Sequence, residues 1–223
     1  MRKLVVIIIV LGIILGGMVA YQYVVKQENI ISIQEIEKIE NYLNQIYTWQ
    51  EITEEALPEF QEINQANEKW IWEVVKKNLE DYELSYEQIQ EKAKELFGEK
   101  FTKELAKEGT KYFVYDEENN RYYAEEIELD QKEDSYILNK IDKIENGYEV
   151  EIVEYLEDYS QTTIEGESYI IVRNTKGEEI GKIGTKNEEE AKEIVKNNID
   201  KLSKKKITLK EENGKLYIEK VQK

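Results

Sequence analysis

Glu165, Gly166 and Glu167 place two carboxylates two residues apart in a segment of turn-forming composition. Two acids roughly 5 to 9 Å apart are what a glycosidase uses, one to protonate the leaving oxygen and one to attack or to activate water. The chain holds 48 Asp and Glu residues. Pairs of this kind therefore arise by chance, and no supporting motif surrounds this one. A solvated loop is the expected reading, with a cell-wall-directed hydrolase using paired carboxylates as the alternative. No catalytic residue is assigned.

Asp116, Glu118 and Asn120 have the alternate spacing that opens a calcium-binding loop of the EF-hand type. Arg121 stands where that loop needs Gly, and Ile127 where it needs a bidentate acid, so the match fails. No metal and no cofactor is expected. Tyr112, Phe113, Tyr115, Tyr122 and Tyr123 cluster on one expected hairpin. Alternate residues of a strand face opposite sides, so Tyr112 is separated from Phe113 and Tyr122 from Tyr123. One such row could carry a sugar or a peptide, but cross-strand packing is the expected role. Trp70 and Trp72 lie two apart on an expected helix and cannot share a face. Trp70 belongs to the apolar stripe, and Trp72 is expected at the surface, where it would hint at a partner. Lys201, Lys204, Lys205 and Lys206 are expected at a helix C-terminus, where cations offset the dipole.

His and Cys are both absent. Disulfides, thiolate nucleophiles, His-ligated zinc and the Ser-His-Asp triad are thereby excluded. The net charge is −17. Three of the 31 basic residues (Arg2, Lys3 and Lys26) precede all the acids, so the rest of the chain sets 28 bases against 48 acids. That balance excludes nucleic acid as a partner, since such binding depends on clustered Lys and Arg.

The longest apolar run lies at the N-terminus. Leu4 to Val25 carries no charge, and its 22 residues would span about 33 Å as a helix, enough for a hydrocarbon core of roughly 30 Å. Arg2 and Lys3 favour a cytoplasmic N-terminus, which would place everything after Lys26 outside. A cleaved signal peptide would need a small residue at the third position before the cut. Cleavage after Ala20 or Gly17 offers Met18 or Leu15 instead, so the run reads as an uncleaved signal-anchor. Gly12, Gly16 and Ala20 recur every four residues and form a candidate transmembrane packing face, for a homodimer or for another membrane protein.

The remainder reads as folded. Ile33, Ile36, Ile39, Leu43 and Ile46 predict a juxtamembrane helix. Pro58 predicts the start of a second, carrying Phe60, Ile63, Trp70, Ile71, Val74 and Leu79, with an interruption near Asn67. Ser85 and Gln88 form a capping box for a third, with Ile89, Ala93, Leu96 and Phe97 on its apolar face and Gly98 at its end. A helical turn is expected over 102–107. The period then changes to two. Hairpins are expected across 111–124, around Asn146-Gly147, across 169–183 and around Asn213-Gly214. A late helix capped by Asn187 and Glu190 carries Ala191, Ile194, Val195, Ile199 and Leu202.

The expected architecture is α+β. An N-terminal transmembrane helix (1–26) is followed by a juxtamembrane helix (27–57) and an extracytoplasmic domain (58–223). Helices would pack on an antiparallel sheet of consecutive hairpins with one late helix, cystatin-like or NTF2-like by loose analogy of element order. The expected function is a single-pass, non-enzymatic binding module of a bacterial cell envelope, engaging another envelope protein or a wall component. A structural tether is a further alternative.

Overall fold

The computed structural model describes residues 31–79, 83–111, 113–124, 132–162, 168–184 and 188–223. The expected anchor with Gly12, Gly16 and Ala20, the Glu165-Gly166-Glu167 loop, Tyr112, Ile127 and Asn187 lie outside the described residues. Among the described residues no helix is long and apolar enough to cross a membrane.

Two compact units divide the chain, Met1–Glu37 and Lys38–Lys223. The described part of the first opens helix α1 (Ile33–Ile46). Glu35 N donates to Ser32 Oγ at 3.2 Å and Ser32 N donates to Glu35 Oε2 at 2.8 Å, a reciprocal capping box.

In the second unit, Ile39, Tyr42, Leu43 and Ile46 of α1 are buried, as their spacing predicts. A single turn, α2 (Gln50–Thr53), follows. Pro58 does not begin a helix. Its segment is extended because Phe60 exchanges backbone hydrogen bonds with Val221, at 3.1 and 2.9 Å. Helix α3 (Glu68–Lys77) starts after Asn67, whose side chain accepts from Lys69 N. Helix α4 (Tyr86–Phe97) has the Ser85–Gln88 capping box and ends at Gly98 with φ 85°. The turn expected over 102–107 is not helical. Its backbone donors are taken by side chains instead: Thr102 N and Lys103 N reach Asn64 Oδ1, and Ala106 N reaches Glu68 Oε1.

Both faces of α3 are buried, and Trp72 is not at the surface. Trp70 packs between Phe60 and Phe97, while Trp72 packs against Phe113 and Tyr122. The second face is covered by a small sheet of β1 (Gly109–Thr110), β2 (Phe113–Asp116) and β3 (Arg121–Ala124). Phe113 and Tyr122 are fully buried there, so these two aromatics pack the core. Tyr123, on the opposite face from Tyr122, is exposed.

The main sheet contains β4 (Lys132–Ile144), β5 (Gly147–Thr162), β6 (Ser168–Arg173), β7 (Glu179–Ile183), β8 (Ser203–Glu212) and β9 (Lys215–Gln222), every pair antiparallel. Two of the hairpins follow from an Asn-Gly turn. Asn213 and Gly214 both take positive φ. At the β4–β5 turn only Asn146 does, and Gly147 is already strand. Glycine is needed there for close approach: a Cβ would lie 2.0 Å from Leu209 O.

β5 organises the sheet. One edge pairs with β4. The other is shared end to end, by β8 along Gly147–Glu154 and by β6 along Leu156–Thr162. Tyr148, Val150 and Ile152 share one face with Ile207 and Leu209, in a buried layer that reaches Phe60 and Tyr42 through β9. Val153 and Tyr155 turn to the opposite face, where they meet Ile170, Val172 and the buried Ala191 and Val195 of helix α5 (Glu188–Asn197). The fold is α+β, with helical segments on both faces of an antiparallel sheet.

Candidate functional site

Of the basic run expected at a helix C-terminus, Lys201 ends a short helical turn, whereas Lys204, Lys205 and Lys206 lie on a strand. Helix α5 ends at Asn197, a short 3-10 turn spans Ile199–Lys201, and β8 begins at Ser203. Period two then separates the lysines. Lys204 and Lys206 are exposed and face Glu151 and Glu149 at 3.8 and 3.1 Å. Lys205 points inward and is 3 % exposed.

A buried polar cluster forms around Lys205. Its register partner is Ile152, and that of Glu154 is Ser203, so Lys205 and Glu154 are diagonal neighbours on one face. Lys205 Nζ lies 3.2 Å from Glu154 Oε1 and 3.5 Å from Glu55 Oε2, and it donates to Leu57 O. Tyr47 OH lies 3.3 Å from both Glu154 Oε1 and Ser135 O. Burial pushes the Glu154 carboxyl up, opposed by the Lys205 ammonium, and pushes the Tyr47 hydroxyl well above its ordinary range. An acid and a base taken out of water together need this number of partners to remain charged.

The cluster lies beside a groove of about 800 Å³. Six consecutive residues of β4, Glu133 to Leu138, line it. Glu40, Asn44 and Tyr47 of the α1 segment stand on one side, and Glu189, Lys192 and Lys196 of α5 on the other. Tyr136 OH donates to Asn44 Oδ1 at 2.7 Å, and its ring packs on Tyr47 with centroids 4.8 Å apart. Trp49 also lines the groove and is 43 % exposed, whereas the other two tryptophans' packing is internal. Asp134 accepts from Gln50 N at 2.9 Å. Burial holds its carboxyl at about 6, with the Gln50 hydrogen bond opposing and the nearby Glu154 charge adding.

Chemically, this surface combines an exposed indole, tyrosine hydroxyls, an acid with an unusual affinity for protons, and the length of one strand. It suits binding of a polar, extended ligand. Among the described residues no three acids gather closely enough to hold a metal ion. The Asp116–Glu118–Asn120 segment closes a hairpin instead: Asp116 Oδ1 accepts from Glu118 N and Asn119 N, which draws its carboxyl below the ordinary range, with Asn119 Nδ2 the leading cause.

Sequence reasoning named none of Asp134, Glu154, Tyr47 or Trp49, and it placed Lys205 on the wrong element. A signal was present. The alternation Tyr148, Val150, Ile152 continues to Glu154, and Leu209, Ile207 runs back to Lys205, so both charges fall on the inward parity of their strands.

No family model matches the chain, and no curated protein or solved structure matches it. The cystatin-like and NTF2-like analogies therefore carry no functional argument.

Proposed function

We propose that this chain is a single-pass envelope protein, held by residues 1–26 with its N-terminus in the cytoplasm, whose extracytoplasmic domain binds another envelope protein or a wall component in the groove along β4. The carrying observation is Trp49, a large indole left partly in water on the wall of a groove that also presents Tyr136 and Asp134. Exposed Trp beside directional polar groups is the composition of a recognition surface. The anchor and the small-residue face of Gly12, Gly16 and Ala20 rest on the sequence, and they support a homodimer as the membrane-embedded form.

The test is a photo-crosslinking amino acid placed at Trp49 in the full chain in living cells. Envelope proteins or wall fragments are the expected adducts. Adducts with cytoplasmic proteins alone would overturn both the topology and the binding role.

A hydrolase is the second reading, supported by the elevated carboxyl of Asp134, since a general acid works best near the ambient pH. Its neighbour Glu154 is engaged by Lys205 and Tyr47 rather than directed at the groove. Release of reducing ends from purified wall glycan, lost in Asp134→Asn, would establish this reading over simple binding.

A further inference from the structure

We infer that the groove accepts an extended, lysine- or arginine-bearing segment of a partner protein, which adds to the sheet as a strand beside β4. The inference rests on the proposed groove and names its ligand class. Side chains of successive strand residues point to opposite faces, so an opening confined to one face touches every second residue. This opening touches six in a row, Glu133 to Leu138, and therefore runs along the strand's edge. β5 occupies the other edge of β4 over the same residues. Among the described residues no strand pairs with the outer one.

The two sides confirm the geometry. Tyr136 shares its face with Glu154, where the α1 segment packs through Tyr47 and Asn44. Ile137 shares the opposite face with Val153, where α5 packs through Ala191 and Val195. The edge is thus the floor of a cleft between two helical segments. Six residues of strand measure about 20 Å, room for a peptide of similar length. An edge strand offers a row of backbone donors and acceptors, and a strand partner satisfies them all at once. The Ser135 carbonyl already attracts the Tyr47 hydroxyl.

Charge selects the occupant. Glu40, Glu133, Asp134, Glu157 and Glu189 line the groove, against Lys77, Lys192 and Lys196. Lys77 donates to Asn44 O and Tyr47 O, at 2.8 Å each, and Lys192 pairs with Glu189 at 3.8 Å, so five acids against three lysines leave the lining two acids in excess. The excess acid, on a chain of charge −17, favours a basic strand and disfavours an acidic one.

The probe is a synthetic octapeptide of alternating Lys and Val, titrated against the full chain in detergent. Saturable binding is expected, with about tenfold slower exchange at the alternate amides between Glu133 and Leu138 that point away from β5. N-methylation of alternate peptide residues keeps its charge and removes donors along one edge, and is expected to weaken binding about tenfold or more. Glu133→Lys and Glu189→Lys, both exposed, are each expected to weaken it several-fold. Equal binding of the N-methylated peptide, or of a Glu-Val octapeptide, would overturn the inference. So would failure of the Lys-Val peptide together with quenching of Trp49 by a wall glycan fragment, an outcome that leaves the groove as a binding site. Absence of any ligand and of any crosslink from Trp49 would remove the groove reading as well.

Discussion

Lys205 shows how one inward charge commits a whole neighbourhood. It draws on Glu154, Glu55 and the Leu57 carbonyl, so removing it alone strands Glu154 in the interior. Lys205→Met is expected to cost about 3–5 kcal/mol in denaturant unfolding, and Lys205→Met with Glu154→Met to recover most of that loss. A double variant as unstable as the single one would mean that the pair contributes more than it costs. Asp134 gives the pH counterpart. Its folded carboxyl titrates at about 6, above its unfolded value of about 3.9. Between those values the native state binds the proton and the unfolded chain does not, so this group adds stability as pH falls from 7 towards 4. Asp134→Asn is expected to be more stable than the parent at pH 7 by about 1 kcal/mol, a figure discounted for the solvent that reaches this half-buried group, and to lose that margin by pH 4. Thermal melts of both proteins across that range check the sign.

At the level of elements, the β4–β5 turn is the most exacting point. Gly147→Ala would bring a methyl carbon to 2.0 Å from Leu209 O, a backbone atom that cannot swing away. The expected cost is about 3 kcal/mol. Gly214→Ala, with nothing within 4 Å and only its φ of 80° to strain, is expected to cost about 1 kcal/mol, and matched denaturation curves separate the two. Much of this layer was legible in the sequence. The α1 stripe, the Ser85–Gln88 box and the four hairpins follow from periods and turn residues that act locally. What was hidden depends on distant partners. Pro58 looked like a helix start because nothing nearby shows that Val221 will take Phe60's hydrogen bonds. Trp72 looked exposed because the sheet that covers it lies some forty residues further along the chain. The lysines after Leu202 looked like a helix terminus because the helix signal ends only a few residues before the strand begins. The groove could not be foreseen, since it is the space left between elements.

On the scale of the whole molecule, the proposed anchor over residues 1–26 makes a prediction of its own. The chain is expected to sediment with membranes, to resist extraction by high salt and to come away in detergent. Release of the intact chain by salt alone would contradict an anchored form, since salt screens surface charge and leaves hydrophobic insertion in place.

The shared edge of β5 has a consequence for how the molecule comes apart. Residues 147–154 lean on β8 and residues 156–162 on β6, and alternate residues of β5 feed the two buried layers, Tyr148, Val150 and Ile152 on one face and Val153 and Tyr155 on the other. The two layers therefore have one strand in common as a spine. The Thr175 and Ser203 hydroxyls meet at 3.0 Å to bridge the fork where their flanking strands part. Removing β5 would strip both layers at once, whereas β6 and β8 each touch only one half of it.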